Sequence, residues 1–127
     1  MNRFLGALFI ILCLAGCDNP DVSKPEDADK AITLVQNHPT SIKNVSVLKL
    51  MTASFALAQE RGYTFNFDPQ NNGWLAYFHA ENGNYHLFKV EYHYTENLKA
   101  READWLVDVN TGEVEPDNDI ARAFMGK

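Results

Sequence analysis

The hydrophobic period of this chain changes at Gly62, and that change constrains the fold more than any other feature. Before it, apolar residues recur at helical spacing. Ala28, Ala31, Ile32 and Val35 fall on one face, and Leu48, Met51, Phe55 and Ala58 form a second stripe that Val47, Leu50 and Leu57 widen. After it, Tyr63, Phe65 and Phe67 alternate with Thr64 and Asn66, the two-residue period of a half-buried strand. Gly62 itself suits the residue after a helix, where positive φ is needed. Helices first and strands afterwards predict an α+β domain, with an antiparallel sheet covered on one face.

The boundaries follow from local chemistry. Ser23 and Glu26 have capping-box spacing, and Asn37-His38-Pro39 ends the first helix because a residue before proline is pushed out of the α region. The second helix runs from about Val45 to Arg61, although Ile42 to Val47 is β-branched enough to form a short strand instead. Its broad apolar arc predicts deep packing against the sheet.

Trp74 to Ala80 and Tyr85 to Tyr94 read as two strands joined across Glu81-Asn82-Gly83-Asn84, since Asn-Gly favours a type I′ turn. With Asn82 and Gly83 as the loop, Ala80 faces Tyr85, His79 faces His86, Tyr77 faces Phe88 and Leu75 faces Val90. One sheet face then carries Leu75, Tyr77, Phe88, Val90 and Tyr92, and the other Trp74, Phe78, Tyr85 and Leu87 beside Lys89 and Glu91. Thr95 to Glu102 reads as a charged loop and Asp104 to Val109 as a fourth strand, with Trp105, Val107 and Val109 on one side. Asn110-Thr111-Gly112 turns the chain, and Asp117 or Asn118 caps a short last helix through Ile120, Ala121 and Phe124. The expected architecture is two N-terminal helices packed on a four-stranded antiparallel sheet, with a short C-terminal helix.

The first residues follow another logic. Arg3 precedes an apolar run, Phe4 to Leu14, too short to span a membrane. The run closes on Leu14-Ala15-Gly16-Cys17, which resembles the lipobox of bacterial lipoproteins. The resemblance implies a signal peptide over residues 1–16 and acyl chains on Cys17. Residues 17–27 are then lipidated cysteine and tether, and residues 28–127 a single periplasmic domain. Each buried methylene contributes about 0.8 kcal/mol, so two or three chains make a stable membrane anchor. Asp18 resembles the signal that retains enterobacterial lipoproteins at the inner membrane; the outer membrane is the alternative. The tether carries Pro20 and Pro25, and ten extended residues reach roughly 33 Å.

Charge and cysteine content narrow the chemistry. The chain has a net charge of −6, and losing residues 1–16 removes Arg3, leaving ten basic against seventeen acidic residues and −7. Phosphate backbones repel such a surface, so no nucleic-acid partner is expected. Cys13 leaves with the signal and Cys17 is consumed by lipid, so no thiol remains for a disulfide, a thiolate metal site or cysteine catalysis. No cofactor is implied.

Site candidates are few. His79 and His86, directly opposed in the expected register, could share a cation, but no third ligand joins them and no metal site is assigned. Asp108-Val109-Asn110-Thr111-Gly112 lacks the glutamate and glycine placement of a calcium loop and reads as a turn. Glu113, Glu115, Asp117 and Asp119 read as a solvated acidic rim. Ser23, Ser41, Ser46 and Ser54 have no nucleophile-elbow context, so no catalytic residue is assigned. Trp105-Leu106-Val107-Asp108-Val109-Asn110-Thr111-Gly112-Glu113-Val114, closing a helix-and-sheet segment, resembles the strand-and-turn signature of PepSY-like and cystatin-like periplasmic modules. That resemblance implies a binding or inhibitory module and transfers no catalytic residue.

Rigid aromatics mixed with charges suit a protein-binding surface, and Trp74, Phe78, Tyr85 and Leu87 are its expected members. The expected function is a non-catalytic, membrane-anchored periplasmic lipoprotein binding a protein or peptide as inhibitor, adaptor or accessory subunit. An immunity-type lipoprotein against an envelope-acting toxin is the alternative, and a small hydrolase or metal carrier a more distant one.

Overall fold

The protein is described by a computed structural model covering residues 25–67, 73–79 and 86–127. Helix α1 (Pro25–Gln36) opens on Glu26 and Asp27, whose charges suit a helix N-terminus, and buries Ala31 and Val35 completely. Helix α2 (Val47–Glu60) is capped by Ser46, whose side chain accepts from the Lys49 amide at 3.2 Å. Ile42 to Val47 forms no strand; a turn leads to a lone bridge between Pro39 and Ser46. The apolar arc of α2 is narrower than expected. Val47, Met51 and Phe55 are buried, whereas Leu57 lies in solvent.

Five strands follow: β1 (Phe65–Asn66), β2 (Trp74–Phe78), β3 (Leu87–Glu96), β4 (Lys99–Asp108) and β5 (Glu113–Pro116). All pair antiparallel in one sheet, in the order β1-β3-β4-β5. Strand β2 pairs with the same edge of β3 as β1 does, further along it. At its start, Gly73 has φ +97° and accepts a hydrogen bond from the His93 amide at 2.8 Å. A side chain there would meet the His93 carbonyl at 2.5 Å, so only glycine allows this approach.

Helix α3 (Asp119–Phe124) completes the domain. It is capped by Asn118, one of the two expected residues, and buries Ala121 and Phe124. Asn118 also ties the helix to the sheet. Its Oδ1 accepts from the amides of Ala121 and Asp104, and its Nδ2 donates to the Glu102 carbonyl. The helices and one sheet face share a core built on Met51, Phe55, Val90, Tyr92, Trp105, Val107 and Phe124. Phe55 is its aromatic centre, with ring centroids 4.4–5.6 Å from Phe67, Phe65, Tyr94 and Phe124.

Three expectations need correction. Strand β2 pairs one residue out of the expected register, with Ala76 rather than Leu75 opposite Val90 and Phe78 opposite Phe88. A one-residue offset exchanges the faces. Trp74, Ala76 and Phe78 therefore point to the core side, where Trp74 stacks on Trp105 at 5.7 Å and Phe78 meets Phe88 edge-on at 6.1 Å. Contacts of Trp74 with Trp105 and Tyr92 accompany this register, while Phe78 stays 37% exposed; Asn82 and Gly83, on which the expected register rests, lie outside the described residues. Second, the sheet has five strands among the described residues, because Glu113–Pro116 pairs with β4 and buries Val114. Third, Thr95 to Glu102 is no loop. Strands β3 and β4 run through it and turn at Asn97-Leu98, where both residues have positive φ, 50° and 68°.

A type I′ turn requires that conformation, and for leucine it is strained. Leu98 is also 94% exposed, so its side chain gains almost nothing from burial. Leu98→Gly is expected to raise the free energy of unfolding by about 1 kcal/mol, measured by urea denaturation.

Candidate functional site

Ten consecutive pairs join β3 to β4, and strand alternation sends every second pair away from the helices. On that outward face Lys89 lies opposite Leu106, Glu91 opposite Asp104, and His93 opposite Glu102. Leu75 and Tyr77 of β2, opposite Glu91 and Lys89, extend the surface on one side. Glu115 and Glu113 of β5, opposite Leu106 and Asp108, extend it on the other. Leu75 and Tyr77 are about half exposed, at 53% and 46%. Among the described residues the helices thus cover one side of the sheet, and the other is an open surface with apolar residues set among carboxylates.

A polar cluster occupies its middle. The Tyr77 hydroxyl donates to Glu91 Oε2, and the His93 ring, through Nε2, lies 2.8 Å from Glu91 Oε1. His93 Nδ1 lies 3.7 Å from Glu102 Oε1. Lys89 Nζ is 3.8 Å from Asp104 and 3.6 Å from Asp117. Burial pulls the Glu91 carboxyl upward, but hydrogen bonds from Tyr77 and His93 and the nearby positive charges outweigh it and hold it below its usual range. The same hydrogen bond, with burial and the Glu91 charge, pushes the Tyr77 phenol up to about 12. Asp104 is pushed up to about 6, first by burial, then by a hydrogen bond with Glu102 and its charge, with Lys89 opposing.

Donor atoms of Glu91, His93 and Glu102 all lie within 4.8 Å of one another, a spacing that a metal ion can bridge. The sequence reading missed this set. Glu91 and His93, two apart on a strand, were visible as same-face neighbours, but Glu102 stood in a segment read as loop.

The expected partner residues do not form one surface. Trp74 and Phe78 face the core side, Leu87 faces outward opposite Asp108, and Tyr85 lies outside the described residues. Cys17 and Asp18 lie outside them as well, and no helix among the described residues is long and apolar enough to cross a membrane. His79 donates its amide to the Leu87 carbonyl, so it does not stand opposite His86 as expected. The Asp108 segment is a turn: Asp108 Oδ1 accepts from the amides of Asn110 and Thr111, and Gly112 closes on the Asp108 carbonyl at 2.7 Å. Where β1 and β2 meet along β3, a cavity of about 520 Å³ opens, lined in part by Asn66, Gly73, His93 and Arg101.

The Asp104 shift has a definite sign. An acid whose folded pKa is raised binds more protons folded than unfolded between about 4 and 6, so stability falls as pH rises through that window. Asp104→Asn removes the loss. The variant is expected to unfold at nearly the wild-type midpoint at pH 4 and to be more stable at pH 7.5 by on the order of 2 kcal/mol, followed by thermal unfolding with a chelator present.

No family model matches this chain, and no curated protein or solved structure does either.

Proposed function

We propose that this chain is a lipid-anchored periplasmic binding module, non-catalytic, whose open sheet face receives a basic segment of a protein partner. It would act as an inhibitor, adaptor or accessory subunit; an immunity role is the same reading with a toxin as the partner. One observation carries the proposal. The sheet is covered on one side alone among the described residues, and its other side sets Leu75, Tyr77, Leu87 and Leu106 among Glu91, Glu102, Asp104, Asp108, Glu113 and Glu115. Apolar side chains supply the buried centre of an interface, and surrounding like charges select an oppositely charged partner and speed its approach. The anchor rests on Leu14-Ala15-Gly16-Cys17, and the inner-membrane placement on Asp18. The resemblance of residues 45–115 to PepSY-like and cystatin-like modules, read on the motif Trp105 to Val114, accords with a binding role.

The partner face moves from the Trp74 side to the Tyr77 side, and the two make opposite predictions. Tyr77→Ala is expected to weaken capture of the partner from an envelope extract by about thirtyfold, as loss of a central aromatic anchor does, while the unfolding midpoint stays close to wild type. Trp74→Ala is expected to lower the stability itself by about 3 kcal/mol or more. Capture that survives Tyr77→Ala and Leu75→Ser together at full strength refutes this face as the docking surface.

Cys17→Ser is expected to abolish incorporation of labelled fatty acid. Labelling equal to that of the wild-type chain refutes the lipid anchor without touching the docking face.

A further inference from the structure

We infer that Glu91, His93 and Glu102 form a binding site for a divalent transition-metal cation of the zinc class on the open face of the sheet. The inference stands on the geometry of these residues and does not rest on the protein partner proposed above. Glu91 and His93 are two residues apart on β3, and Glu102 lies directly opposite His93 on β4, so all three side chains leave the same face of two hydrogen-bonded strands. Their donor atoms lie within 4.8 Å of one another. Around tetrahedral zinc, with ligands at about 2.0–2.2 Å, donor atoms sit roughly 3.4 Å apart. Small side-chain rotations close that gap, and the 43% exposure of His93 and 39% of Glu102 leave room for them. One imidazole with two carboxylates and no thiolate suits zinc and its neighbours better than magnesium or calcium, which prefer oxygen alone.

Two further features favour a cation. Glu91 is already oriented, because Tyr77 takes its Oε2 and leaves Oε1 directed at His93, the outer-sphere support that metal ligands commonly receive. The cluster also holds more negative charge than its neighbours balance. Asp104 stands directly opposite Glu91 and two residues from Glu102, an arrangement of like charges that destabilises a strand pair. Lys89 approaches Asp104 at Oδ2, whereas Oδ1 is shut off from solvent and meets no hydrogen-bond partner among the described residues. A dication beside Glu91 and Glu102 relieves that repulsion. With three protein ligands, a coordination position stays open to water or to a donor from another molecule.

The test uses the full chain, purified in detergent, stripped with a chelator and titrated with zinc by calorimetry and with cobalt by absorption spectroscopy. One ion per chain is expected, with cobalt bands of nitrogen and oxygen ligation and no thiolate charge-transfer band. His93→Ala and Glu102→Gln should each weaken zinc binding by at least about tenfold, with circular dichroism unchanged because both side chains are partly exposed. His79→Ala, outside the cluster, should leave binding as in the wild type. Absence of binding, a thiolate band, or full-strength binding in both His93→Ala and Glu102→Gln overturns the site. Capture of the protein partner, measured with chelator present, reads the docking face separately, so failure of one proposal is distinguishable from failure of the other.

Discussion

The ten-residue pairing of β3 with β4 is the constraint on which the rest of the structure depends. Its register sends Phe88, Val90 and Tyr92, with Val107, Trp105 and Ala103 opposite them, toward the helices. By the same alternation it sends Lys89, Glu91 and His93, with Leu106, Asp104 and Glu102, to the open side. A slip of one residue would exchange the two sets, burying three carboxylates and exposing the aromatic core. The fold therefore cannot keep its core without also assembling the polar cluster. The Asn97-Leu98 turn fixes this register at the cost of a leucine in a left-handed conformation.

Everything else in the domain serves one side of that ladder. Helices α1 and α2 bring Val35, Met51 and Phe55 to it, and Asn118, which caps α3, makes two hydrogen bonds to the β4 edge. Asn118 satisfies backbone groups of β4 that β5, only four residues long, does not reach. Among the described residues three helices lie on one side, and the other side depends on polar residues for its solubility. Those residues are mostly acidic, so the face carries a surplus of negative charge around Lys89 and His93. The proposed partner and the proposed cation both answer that surplus, and they share Glu91 and Glu102.

The helices were legible from residue patterns because their signals are local. Asn37-His38-Pro39 follows the end of α1 and Asn118 caps α3, each acting within a few residues of itself, whereas α2, expected from about Val45, begins at Val47 behind a Ser46 cap. The strands were legible in kind but not in pairing. Asn82-Gly83 argued for one register of β2 against β3, and the ring contacts of Trp74 with Trp105 and Tyr92 decided for the next one. Thr95 to Glu102 looked like a loop because its polar and charged residues lack strand alternation, yet it continues the longest hairpin of the sheet. Most of the candidate site was hidden by those two errors. The Asn82-Gly83 register puts Leu75 and Tyr77 on the face of Phe88, Val90 and Tyr92, and Glu102 falls in a segment that reads as loop.

The sequence by itself determined the α+β class, two helices ahead of the strands with a short one after them, the approximate extents of the helices and the membership of most of the core. These depend on contacts between residues close in the chain, or on hydrophobicity that any compact arrangement must bury. Only the tertiary structure decided which face each strand shows to solvent. That choice turns on a single residue of register, and the energy that sets it comes from rings and backbone groups far apart in sequence. Trp74 meets Trp105 across thirty-one positions, and Glu91 meets Asp104 across thirteen. The sheet aligns both contacts at once, and so the open acidic face became visible only when the strands were paired.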